Sequence, residues 1–197
     1  AYEIRSCLEG SEMCIRDSDY TSNQNFTGSP GFYNLQLNTS GVRNMDVQSG
    51  SVPTVANGIT CTNGQITGNG KIQLTAGSAH AFTSGCDGGN GEVEAVGSAQ
   101  VDLQAGTRLP SLEIGGSSVV SASGSGTVYF NEGNATDRSI NMTGGTLNMG
   151  SVNADIGAND VYMSSGIINA GSATWTSAGD FNFSGCLLYT SDAADES

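Results

Sequence analysis

The chain has 197 residues, 29 of them glycine, with 6 basic and 19 acidic side chains and a formal net charge of −13. The few Lys and Arg are scattered, and a polyanion needs clustered positive charge to release its counterions, so nucleic acid is excluded as a partner. No run of 18 apolar residues occurs, so no transmembrane helix is expected.

In chain order, the first segment is AYEIRSCLEGSEMCIRDS, residues 1–18. It resembles translated sequencing-library adapter of the transposase-inserted kind, as does CLLYTSDAADE at 186–196. Codons for Glu12–Ser18 (GAG ATG TGT ATA AGA GAC AG) have a reverse complement containing TGT CTC TTA TAC ACA TCT. That string translates as Cys-Leu-Leu-Tyr-Thr-Ser, which is Cys186–Ser191. Residues 1–18 and 186–197 are therefore expected to be adapter-derived rather than native, leaving 19–185 as an internal fragment of a longer protein. They are expected to pack poorly or to take edge positions, with Ile15 and Leu187 outside the core. Within 19–185, 12 acidic and 4 basic residues remain, and the cysteines reduce to Cys61 and Cys86.

From residue 32 onward one device repeats, a short apolar-polar-apolar run followed by a Gly, Asn or Ser turn. The runs include Leu35/Leu37, Met45/Val47, Ile72/Leu74, Val93/Ala95, Val101/Leu103 and Leu112/Ile114. Val128/Phe130, Ile140/Met142, Leu147/Met149, Val161/Met163 and Phe181/Phe183 follow. Alternation of period two places one side of each strand in a core and the other in water. Turn pairs such as Ser49-Gly50, Asn57-Gly58, Gly115-Gly116 and Gly144-Gly145 separate the runs, because Gly and Asn tolerate positive φ. No i, i+3, i+4 pattern occurs, so no helix is expected within 19–185. Strands this short cannot bury a face alone. They predict an all-β fold, a parallel β-helix or β-solenoid of short strands, with a β-sandwich as the alternative. The variable spacing between runs suits solenoid loops.

Segments such as FYNLQLNTSG (32–41), SGSVPTVANGITCTNGQITGNGKIQLTAG (49–77), TGGTLNMGS (143–151) and INAGSATWTSAGDFNFSG (168–185) resemble bacterial β-strand-repeat surface proteins. These have haemagglutinin-like or autotransporter-passenger-like β-helices. The resemblance implies an extracellular or cell-surface location and a structural, adhesive role without catalysis, with host or matrix glycans or proteins as partners. It supplies no catalytic motif and no cofactor. The alternatives are a polysaccharide-active β-helix enzyme, which would show Asp/Glu with Arg or Lys across successive rungs, and a carbohydrate-binding module with exposed aromatics on one flat face.

Glu92 and Glu94 alternate with Val93 and Ala95 and share an outer face, and Asp102 is expected on a neighbouring rung. Three such carboxylates could hold calcium or do acid/base work on a glycan, but the ordinary reading is a solvated strand face. No basic side chain accompanies them in the local sequence. The run Cys86–Glu92 resembles one calcium turn of a β-roll, but without a tandem repeat it reads as a plain turn. Cys61 and Cys86 are either bridged in an oxidising compartment or two independent buried thiols. With His80 the sole histidine and no CxxC, no metal site is expected. His80 is expected as an ordinary strand-end residue. Phe181 and Phe183 are expected in the core, with Trp175 beside them as a candidate sugar platform. The triplets opened by Asn25, Asn38, Asn134, Asn141 and Asn182 are read as unglycosylated in a bacterial protein.

Overall fold

A computed structural model describes residues 24–38, 44–77, 80–130, 138–184 and 187–190. The protein is a β-solenoid of about 7 turns, all-β, with no helix among the described residues. β1 (Gln24–Phe26) lies on the rung below the first turn, which holds β2 (Gly31–Asn38) and β3 (Asn44–Val47). β4 (Thr54–Asn63) and β5 (Gln65–Thr67) form the second, and β6 (Lys71–Leu74) and β7 (His80–Phe82) the third. β8 (Glu92–Ala95) and β9 (Gln100–Gln104) make the fourth. The fifth comprises β10 (Ser111–Ile114), β11 (Val119–Ser123) and β12 (Thr127–Tyr129). β13 (Arg138–Asn148) and β14 (Asn153–Gly157) form the sixth, and β15 (Asp160–Gly171) and β16 (Trp175–Ser177) the seventh. β17 (Phe181–Phe183) and β18 (Leu187–Thr190) lie on top.

The described pairings are parallel, which excludes the antiparallel sheets of a sandwich. Three faces result. The first stacks the starts of β2 and β4, then β6, β8, β10, the starts of β13 and β15, and β17. The second stacks the ends of β2 and β4, then β7, β9, β11, the ends of β13 and β15, and β18. The third runs β1, β3, β5, single bridges at Asp87 and Arg108, then β12, β14 and β16. Because β2, β4, β13 and β15 continue around the corner, the first two faces join as one 12-stranded sheet.

Alternation becomes stacking inside the coil. On the first face Ile72, Val93, Leu112, Ile140 and Val161 form one buried row, and Leu74, Ala95, Ile114, Met142 and Met163 the next. The second face contributes Val101, Val120, Leu147 and Ile168. Aliphatic side chains one rung apart exclude water from each other, and the same register pairs backbone N–H and C=O groups of successive rungs. The turns differ in length. Val161 faces Phe181, 20 residues on, but Leu112 faces Ile140, 28 residues on.

Cys61, at the end of β4, and Cys86, beside the Gly64 bridge, are both fully buried. Their sulfurs are bonded with Cα atoms 5.5 Å apart, tying the second turn to the third through the interior. Of the terminal segments, only Leu187–Thr190 is described, as a parallel edge strand beside β15. The expectations on the burial of Ile15 and of the Leu187 side chain fall outside the described residues.

Candidate functional site

The outward side of the first face carries the densest group of charges. Register aligns Lys71 with Glu92 and Ser111, and Gln73 with Glu94 and Glu113. Stacking at rung spacing, roughly 4.8 Å, forces these side chains together. Lys71 Nζ lies 3.1 Å from Glu94 Oε2, 3.5 Å from Glu113 Oε2 and 3.9 Å from Glu92 Oε1. Gln73 Nε2 donates to Glu94 Oε2 at 2.7 Å, which satisfies a carboxylate that is itself buried.

One ammonium cannot neutralise three carboxylates, and Glu92 answers by holding its proton. Burial, then a hydrogen bond with Glu113, push its pKa up to about 7, against the attraction of Lys71 and with further repulsion from the charges of Glu113 and Glu94. For Lys71, burial lowers the pKa, but the hydrogen bond to Glu94 and the surrounding carboxylates outweigh it and the net shift is upward. The group can therefore carry a transferable proton near neutral pH. Among the described residues no three His, Cys, Asp or Glu are grouped as a metal ion would require.

Two expectations need correction here. Asp102 does not join Glu92 and Glu94. β8 and β9 are successive faces of one turn, so Asp102 lies on the second face between Ala81 and Ser121. Nor do the glutamates lack a cation, since Lys71 comes from the rung below. Glu113 and Lys71 were missed because both are distant in sequence. Their own alternation, with Leu112/Ile114 and Ile72/Leu74 turned inward, marks them as outward but does not say what they face.

The same outer row continues from Glu113 to Asn141, Tyr162 and Asn182. A shallow depression there is lined by these three with Thr143, Ser164 and Phe183. Sequence reasoning singled out none of the outward groups for binding.

Phe181 and Phe183 sit on the core rows, in register with Val161 and Met163. The two residues are nevertheless 42% and 43% exposed, because β17 is the last strand of its row among the described residues and has a neighbour, β15, on one side only. Phe181 makes edge contacts with Trp175, centroids 6.2 Å apart, and lies 5.8 Å from Phe183. Trp175 itself packs inward against the core, so the three do not form a flat outer platform.

His80 starts β7 but is buried rather than an ordinary strand-end residue. Its Nδ1 accepts the Ile59 N–H at 3.1 Å and its Nε2–H donates to Ala76 O at 2.5 Å, which sets the neutral tautomer. Burial lowers its pKa, opposed by the Ala76 bond. Both ring nitrogens are committed to the backbone, so the imidazole locks a corner.

The other two faces carry polar ladders. On the second, Asn169 Nδ2 donates to Asn148 Oδ1 at 2.7 Å, and Asn148 Nδ2 to Ser121 Oγ at 3.3 Å. On the third, Gln65 Nε2 donates to Asp87 Oδ2 at 3.2 Å. Asp87 Oδ1 lies 3.9 Å from Arg108 Nε, and the guanidinium carbon lies 4.5 Å from the Tyr129 ring centroid. The Cys86–Glu92 run thus supplies a bridge residue, Asp87, to the third face.

No family model matches the chain, and neither a curated protein nor a solved structure matches it significantly.

Proposed function

We propose that residues 19–185 are a segment of a rigid solenoid rod from a bacterial secreted or cell-surface protein, structural and adhesive rather than catalytic. The observation that carries this reading is the continuous stack. Its interior is filled by aliphatic rows, so a partner meets only the outward ladders. Host or matrix glycans and proteins are the partners such ladders suit. The Cys61–Cys86 bridge fits an oxidising, extracellular compartment. Residues 1–18 and 186–197 are read as adapter-derived on the strength of the inverted repeat. Their persistence in independent genomic reads extended past Asp19 and Gly185 would sink that part.

One observation favours a polysaccharide-active enzyme as the second reading. Lys71, Glu92, Glu94 and Glu113 span three rungs, with the Glu92 carboxyl pushed up to a pKa of about 7. Against it, the four side chains chiefly satisfy one another. The deciding experiment incubates the full chain with a polysaccharide panel, follows new reducing ends, and in parallel measures retention of chain-coated beads on glycan and matrix-protein surfaces. Retention without new reducing ends is expected. Reducing ends released by the wild type but not by Glu92→Gln would establish the enzyme instead.

A further inference from the structure

We propose that the depression around Asn141, Tyr162 and Asn182 binds a neutral oligosaccharide. The proposal rests on the reading that outward rows make the protein's contacts, and it names the ligand class. Parallel register sets these three side chains one above another on β13, β15 and β17. Thr143 and Ser164 add hydroxyls. Carboxamides and hydroxyls both donate and accept, as a sugar's hydroxyls require. The Tyr162 ring suits the C–H face of a pyranose, which is apolar in the middle and polar at its rim.

Charge selects within the sugars. The lining is uncharged, whereas the same row one rung below begins the Glu113 and Glu94 pair. Anionic sugars would meet those carboxylates, and a cationic ligand would be drawn past the depression toward them. A peptide adding as a strand is disfavoured for a different reason. β13 is paired on both sides, by β10 and β11 below and β15 above, and β15 by β13 and β17, so the backbone beneath Asn141 and Tyr162 offers no free edge, and only β17, the last strand of its row among the described residues, has one. Over β13 and β15 the ligand must be held by side chains alone.

The test titrates the full chain calorimetrically with neutral hexasaccharides (cellohexaose, xylohexaose, mannohexaose, laminarihexaose) and with hexagalacturonate. At least one neutral hexasaccharide is expected to bind, and hexagalacturonate about tenfold more weakly or not at all. Tyr162→Ala should weaken binding by about tenfold, and Asn182→Ala by several-fold, with unchanged circular dichroism. Gln100→Ala, on the second face, should leave it unchanged. Absence of binding by every neutral probe overturns the site, as does binding that Tyr162→Ala leaves intact. Bead retention on protein-coated surfaces would then keep the adhesive reading alive, whereas reducing-end release would remove that reading independently.

Discussion

Gly150 and Gly171 occupy the same turn on successive rungs, with φ of +59° and +60°. Replacing either with Ala incurs the same left-handed penalty, about 1–2 kcal/mol, reduced by the lower entropy of an unfolded Ala. They differ in what a methyl would meet. At Gly150 nothing lies within 4 Å. At Gly171 the new Cβ would lie 2.2 Å from Gly150 O and 2.9 Å from its carbonyl carbon. That oxygen accepts the Ser172 N–H at 2.8 Å, so relieving the clash means moving one rung away from the other and weakening the bond that joins them. Losing an exposed bond of this kind costs about 0.5–1.5 kcal/mol net, and the displaced rung strains the neighbouring bonds as well. We expect Gly150→Ala to destabilise by about 1 kcal/mol and Gly171→Ala by about 3 kcal/mol. In a chain of this size those figures correspond to melting shifts of roughly 3 °C and 9 °C. Thermal melts followed by far-ultraviolet circular dichroism would read the difference, and hydrogen exchange at Ser172 would localise it. Equal shifts for the two variants would refute the claim that direct backbone contact between rungs, rather than backbone conformation, makes glycine necessary at position 171.

Stability should also depend on pH through Glu92. Its folded pKa of about 7 lies above the ordinary 4.5, so the folded chain binds the extra proton and stability declines as pH rises from about 4.5 through about 7. In Glu92→Gln this decline should shrink, and an unchanged urea midpoint profile across that window would contradict the shared-proton account. Alkylation of the unfolded chain without reductant should leave Cys61 and Cys86 unmodified, and the double Ala variant should lose about 3–4 kcal/mol from the loop-closure entropy of a 25-residue separation. Two labelled thiols at those positions would refute the bridge. Finally, Ser118 and Ser139 are both fully buried, but Ser139 Oγ donates to Ile156 O at 3.1 Å, whereas Ser118 Oγ has no partner among the described residues. Ser118→Ala should be neutral or stabilising, and Ser139→Ala should cost about 1 kcal/mol. The reverse order in denaturant midpoints would overturn that assignment.

Alternation by itself determined which side of each strand faces the core. Ile72/Leu74, Val93/Ala95 and Leu112/Ile114 are inward as their pattern demands, and glycine-rich turns separate them. The shortness of the runs, with no helical period, also sufficed for an all-β fold and favoured a solenoid, while the parallel pairing that excludes a sandwich came from the structure. What alternation lacks is any statement of which strand lies above which. That depends on turn length, and the turns vary from 19 residues between Val93 and Leu112 to 28 between Leu112 and Ile140. Only the assembled stack could therefore bring Lys71 and Glu113 to Glu92 and Glu94, send Asp102 around the corner, close Cys61 on Cys86 and commit both nitrogens of His80. Inward or outward is a property of one strand's backbone geometry. Neighbourhood is a property of register, and register exists only once separate turns of the coil have packed.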